Sequence, residues 1–257
     1  RWLSVARDLP WVPQPVQGLD GDTAWAIGGL SWDVSPWLPG EPDLRRPPAL
    51  DRVKAAFQGL AELHARLGTT ESRGAASPGL LAKRRELESL LRGGFERLEG
   101  RVEASTSDPL APDAREWLRL ARRAAPVVLR RVEGVAEEPF PLQPCLRDAR
   151  PEHFLFTDDR LTGLVDFGAM DVEAVSGDLA RLMGEWLPGE SGRPLREAGL
   201  AEYRRLRPLS PREVQAVAVF EAVADVLIGE RWVRWRFGER RPFEDRACAD
   251  GLARGLS

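Results

Sequence analysis

The feature that most restricts the fold of this chain is a change of period at one place. From residue 48 to residue 135 apolar residues recur mostly at three- and four-residue spacing, as a buried helix face requires. Within "CLRDARPEHFLFTDDRLTGLVDFGAM", Cys145 to Met170, that period gives way to two short strand-like runs, "HFLF" and "LTGLVDF", on either side of "TDDR". A small hairpin with its turn at Thr157 to Arg160 is therefore expected, after which helix-period sequence resumes. Strand and helix blocks that do not alternate argue for α+β and against a doubly wound dinucleotide-binding sheet.

The rest of the chain fits around that hairpin. "TAWAIGG" and "LSWDVSPWLPG" predict two antiparallel strands joined at Gly28-Gly29, followed by the polar, proline-rich connector "EPDLRRPPAL". Leu50, Val53, Phe57, Leu60, Leu63, His64 and Leu67 predict a helix over 48–67, with His64 at the edge of the core. Further helices are expected over 80–98, 112–135, 172–187, 195–206 and 210–237, the last capped by Ser210 before Pro211, with loops at 68–79 and 100–111. This divides the chain into a strand-rich front, 1–38, and a large helical body, 39–257.

Composition removes several classes of function. Thirty-seven basic against forty acidic side chains leave a net charge of -3, so no basic field argues for nucleic acid. Trp232, Trp235 and Phe237 are read as core packing of the last helix, with neighbouring arginines on its wet side. No apolar run approaches the roughly 18 residues of a membrane span. Two cysteines, Cys145 and Cys248, are too few for a disulfide framework and lack a metal-ligand spacing. The expected setting is the cytoplasm.

Two acids carry the chemistry. Asp148 follows Leu146 and Arg147 at the end of an apolar run, and Asp166 ends the strand-like "LTGLV". A hairpin brings its two ends side by side, so both can face one cleft. Such a pair suits metal-assisted phosphoryl transfer, one acid binding Mg²⁺ and the other orienting the attacking hydroxyl and accepting its proton. Taken singly, Asp166 is equally an ordinary turn residue and Asp148 a loop cap paired with Arg147 or Arg150. Glu221 and Asp225, four apart on the last helix, are candidates for an acceptor pocket or for solvated surface.

"LRD", then "HFLF", a short turn, "LVDFG" and "SGDLARLM" resemble the catalytic core of the aminoglycoside phosphotransferase and choline kinase group, relatives of the protein kinases. The resemblance implies a protein-kinase-like bilobal α+β fold, with an incomplete N-terminal lobe and a large, mostly helical C-terminal lobe. It implies ATP and Mg²⁺ as cofactors and a hydroxyl of a small molecule as acceptor. Residue by residue, it makes Asp148 the catalytic base and Asp166 the principal Mg²⁺ ligand. Asp178 becomes the buried acid that holds the catalytic loop through backbone N–H groups, with Arg147 in that loop. The backbone of Pro36, Trp37 and Leu38 would face adenine. "LAELHARL" resembles the family's first large-lobe helix, with His64 in its interior.

The chain departs from the family pattern at three places. Leu146 stands at the loop's histidine position. His153 stands where the family has a metal-binding asparagine, and a neutral imidazole is a poor ligand for hard Mg²⁺. A packed or hydrogen-bonded loop histidine is the competing reading of His153. Finally, no lysine precedes Lys54 and no glycine-rich loop lies between Arg1 and Gly18, so a chain that starts partway into the small lobe is expected. The alternative is a pseudokinase-like module that binds nucleotide or ligand without transfer.

Overall fold

The computed structural model describes residues 2–68 and 73–256. In chain order its strands are β1 (Trp25–Ile27), β2 (Leu30–Trp32), β3 (Glu41–Pro42), β4 (Arg73–Ala75), β5 (Phe140–Cys145), β6 (Phe154–Thr157), β7 (Arg160–Leu164) and β8 (Asp171–Glu173). Its helices are α1 (Leu50–Leu67), α2 (Pro78–Ser89), α3 (Phe95–Glu103), α4 (Ala111–Ala136), α5 (Ser176–Trp186), α6 (Arg193–Leu206), α7 (Pro211–Val233) and α8 (Asp245–Leu256). Among the described residues no helix is long and apolar enough to cross a membrane.

Two compact units share the chain: Arg1–Arg73 with Pro141–Ser210, and Gly74–Phe140 with Pro211–Ser257. Glu221 and Asp225 fall in the second, whereas Asp148, Arg147, His153, Asp166, Asp178 and Pro36 to Leu38 fall in the first. There β1 and β2 pair antiparallel around Gly28-Gly29, as expected. β6 and β7 form the predicted hairpin, with Asp158 at the turn in a left-handed backbone, φ 52°, that aspartate tolerates. The alternation along β6 buries Phe154 and Phe156. Phe156 then stacks against Trp186 of α5, which ties the hairpin to the helix that carries Asp178.

Helix α1 buries Val53, Ala56, Phe57, Leu60, Leu63 and Leu67 on one stripe. α6 lies against it so closely that a Cβ on Gly199 would come within 2.7 Å of the Phe57 ring, which explains glycine at that position. His64 is fully buried, not at the core edge, because both of its ring nitrogens have partners inside the unit.

In the second unit α4 packs against α2, α7 and α8, with Trp117 wholly buried. The single helix expected over 80–98 is two helices. Gly93, at φ 96°, takes a left-handed backbone that a helix interior cannot continue, and the chain turns there between α2 and α3. Trp232, Trp235 and Phe243 form an edge-to-face cluster with Arg231 and Arg241 over Trp235, so the two tryptophans are half-buried rather than core.

Other boundaries also differ. The connector after residue 39 contains β3, which pairs with β6 and extends the hairpin to three strands. Residues 172 and 173, read as the start of a helix, lie in β8, which pairs with β5, because a short apolar run has no period that separates strand from helix. The expected loop at 100–111 begins only after α3 ends at Glu103. Of the loop at 68–79, residues 69–72 lie outside the described residues, and 73–75 are β4.

Candidate active site

The loop from β5 to β6 is shaped by one buried carboxylate. Asp178, in the first turn of α5, accepts the Leu146 N–H at 2.7 Å and the Arg147 N–H at 2.6 Å. The oxygen that takes Leu146 also lies 3.0 Å from His64 Nε2, and His64 Nδ1 lies 2.8 Å from the Tyr203 hydroxyl. Carboxylate oxygens only accept, so Nε2 donates to Asp178, and a neutral ring then takes the Tyr203 proton at Nδ1. A buried acid thus meets three donors, the condition under which a charge is tolerated in a core.

Those bonds hold an otherwise unfavourable backbone. Arg147 has φ 64°, a left-handed conformation that costs a non-glycine residue roughly 1–2 kcal/mol. Two N–H groups fixed on one carboxylate over-determine it. The Arg147 side chain points away to the exposed Asp171, so its part in the loop is played by its N–H. Immediately after it comes Asp148, half-buried, with Oδ1 held by Arg181 at 3.1 Å from Nε and 3.0 Å from its terminal nitrogen. Arg181 also pairs with Glu185, which pairs in turn with Arg150. Asp148 is therefore positioned from the same helix that braces its loop.

The hairpin delivers the second acid. The Val165 N–H bonds the His153 carbonyl at 3.0 Å, closing the open end of the β6–β7 pair. Asp166 follows at φ 62°, more than half exposed, with Oδ2 at 3.5 Å from His153 Nε2. The other ring nitrogen, Nδ1, lies 2.9 Å from the Asp148 carbonyl. Asp148, His153 and Asp166 each offer a ligand atom within 4.8 Å of the others. The two carboxylates suit a hard divalent cation, whereas the imidazole nitrogen does not suit Mg²⁺.

A second cluster, His64, Cys145 and Asp178, has the same spacing but a different chemistry. Its oxygen and nitrogen atoms are committed to the hydrogen bonds above, and the Cys145 thiol donates to the Glu173 carbonyl. Burial, reinforced by the Asp178 and Glu173 charges, pushes that thiol well above its ordinary value, so it stays protonated. This cluster is a structural brace.

Pro36, Trp37 and Leu38 lie in a segment without regular secondary structure; Leu38 lies against Gly163 of β7, and Thr162 Oγ1 donates to the Pro39 carbonyl at 2.7 Å. Trp37 is almost fully exposed. Sequence reasoning missed Arg181, Tyr203 and Asp43. Arg181 had a readable signal, three residues after Asp178 and hence on the same side of a helix. Asp43 had none: its side chain bonds Arg45 and the Ala49 N–H, and its carbonyl accepts from Trp186 Nε1. In the second unit a cavity of about 590 Å³ is lined by Glu86, Glu230, Arg97, Arg101, Arg231 and Arg234 among others, and not by Glu221 or Asp225.

The chain is 28% identical over 216 residues to a homoserine kinase of Methylobacterium sp. (strain 4-46), covering 83% of this chain and 60% of that protein. It therefore spans under two thirds of the length of that curated relative. Its fold is similar to that of an aminoglycoside phosphotransferase from Alicyclobacillus acidocaldarius, with a TM-score of 0.68, 14% identity and coverage of 99% of this chain and 77% of the other. It is also similar to amicoumacin kinase hAmiN, solved in complex with AMP-PNP, Ca²⁺ and Ami, at a TM-score of 0.66, 12% identity and coverage of 98% and 74%. These likenesses establish a protein-kinase-like α+β fold. Residues 1–227 match the family model APH, described as "Phosphotransferase enzyme family", and the chain belongs to that family.

Proposed function

We propose that the protein is an ATP-dependent phosphotransferase that moves the γ-phosphoryl group to a hydroxyl of a small molecule. The observation that carries this reading is the braced loop: Asp178 holds the backbone at Leu146 and Arg147, and the next residue, Asp148, stands in one cluster with Asp166 from the far end of the hairpin. In the proposed reaction Asp148 orients the acceptor hydroxyl and takes its proton as the oxygen attacks phosphorus. Asp166 holds a divalent cation, which when bound offsets the charge of the nucleotide phosphates. Asp178 and the Arg147 N–H keep the loop in register. The backbone of Pro36, Trp37 and Leu38 faces adenine, with 1–38 as nucleotide lobe and 39–257 as the large lobe.

The acceptor class is a small alcohol, and homoserine heads the screen because the curated relative is a homoserine kinase. A cytoplasmic setting belongs to the same proposal, since Cys145 and Cys248 are free and buried. One observation favours a binding module without transfer: Arg181 already occupies an oxygen of the proposed base.

Transfer of labelled phosphate from ATP to a panel of amino alcohols, sugars and aminoglycosides tests the proposal. Asp148→Ala is expected to abolish turnover and leave nucleotide affinity close to wild type. Wild-type turnover in that variant would remove Asp148 as the base. Tight nucleotide binding with no transfer to any acceptor would favour the binding module.

A further inference from the structure

His153 sets this site apart, and its two ring nitrogens do different things. Nδ1 lies 2.9 Å from the Asp148 carbonyl, and a carbonyl only accepts, so Nδ1 carries the proton. In the neutral ring Nε2 is then a lone-pair donor, and it faces the Asp166 carboxylate at 3.5 Å. Two electron-rich groups at that distance repel unless a ring proton or a metal cation lies between them. The separation is close to that of two ligands on one ion: donors each about 2.1 Å from a metal stand roughly 3.0 Å apart at octahedral angles and roughly 3.4 Å apart at tetrahedral ones. The carbonyl behind Nδ1 supplies the outer contact by which metal-bound imidazoles keep their tautomer and ring orientation.

The chemistry of the donors then selects the ion. Mg²⁺ demands oxygen ligands and sheds water reluctantly. An imidazole nitrogen instead raises affinity along the first transition row. Asp148 need not join as a ligand, because Arg181 holds its Oδ1. We propose that His153 Nε2 and Asp166 hold a first-row transition-metal dication in preference to Mg²⁺, with Mn²⁺ as the paramagnetic probe of the site. The proposal rests on the reading of this loop and hairpin as the cation site of a phosphotransferase.

The chain is well suited to a direct test, because it has only two histidines. His64 is fully buried with both nitrogens in hydrogen bonds, so an imidazole signal on a bound metal reports His153. Mn²⁺ is titrated into the full chain, prepared without a histidine tag and without nucleotide, and pulsed EPR is read for nitrogen coupling. Competition with Mg²⁺ gives the preference.

The wild type is expected to show imidazole coupling, and His153→Asn to lose it. Mn²⁺ affinity in the variant should fall about tenfold or more, with Mg²⁺ affinity unchanged or higher. His153→Gln serves as a second variant, and circular dichroism confirms that each is folded. Absence of nitrogen coupling in the wild type at saturating Mn²⁺, as a doubly protonated ring paired with Asp166 would give, overturns the assignment. Wild-type Mn²⁺ affinity in both variants does the same. Phosphate transfer is assayed separately: transfer without nitrogen coupling removes the metal assignment and leaves the phosphotransferase standing. Nitrogen coupling without transfer to any acceptor does the reverse.

Discussion

His64 on α1 and Asp178 on α5 meet ring to carboxylate at 3.0 Å, both essentially fully buried, and the same carboxylate holds the loop that presents Asp148. This joins the helix core of the unit to the candidate catalytic loop through one charge. Stability and activity are coupled there.

Asp178→Asn tests that coupling. The amide keeps the shape but loses the charge and turns donors toward donors, and hydrogen bonds to a charged acceptor contribute about 1.5–3 kcal/mol each. A loss of roughly 3 kcal/mol is expected in urea denaturation, together with reduced turnover of the folded fraction. Tyr203→Phe removes only the hydroxyl at His64 Nδ1 and should cost about 1–2 kcal/mol.

Arg181→Met separates positioning from sequestration of the base. If Arg181 aligns Asp148, steady-state kinetics will show kcat down about tenfold to a hundredfold with nucleotide KM little changed. Lysine should restore part of the rate, since a point charge cannot reproduce two N–H contacts on one oxygen. A rise in kcat would show that Arg181 holds the base out of use.

Asp43 should make the fold acid-sensitive. Burial pushes its carboxyl up, but hydrogen bonds from the Arg45 side chain and from the Ala49 and Arg45 N–H groups outweigh that and hold it at about 2. A folded value depressed below the unfolded one means that the contribution is complete above the ordinary carboxylate range and is lost as pH falls through about 2. Up to about 2 kcal/mol is at stake. Chemical denaturation between pH 5 and pH 2 should show a shallower loss in Asp43→Asn than in the wild type.

Two glycines near α3 should respond in opposite directions to alanine. Gly93→Ala places a Cβ in left-handed backbone beside Arg97 and should destabilise by about 1–2 kcal/mol. Gly100→Ala lies in the helix with open space around the new methyl and should stabilise by about 0.5–1 kcal/mol. Thermal melts of the two variants read both effects.

Periodicity made much of the architecture legible. The β6–β7 hairpin, the β1–β2 pair and helices α1, α4, α6 and α7 follow from apolar spacing and turn residues, which are local properties. The order of Leu146-Arg147-Asp148, Asp166 and Asp178 pointed to the candidate site through its resemblance to the motifs of the phosphotransferase family. Where the local signal is degenerate the reading failed. Val172 and its neighbours suit strand or helix equally, and only pairing with β5 decides. Gly93-Gly94 inside a helical pattern reads as a tolerated defect until the backbone turns there.

What tertiary structure alone decided is how side chains far apart in the chain share one atom. His64 and Asp178 are 114 residues apart, and His64 and Tyr203 are 139 apart, so no spacing rule links them. Nor does sequence say which nitrogen of His153 is spent on a carbonyl and which faces Asp166. The sequence by itself determined the residue types and their order along strands and helices, because those depend on neighbours within a few turns. The hydrogen-bond partners, and with them the tautomer and the donor set of the site, were decided by folding, because each depends on where a distant segment comes to rest.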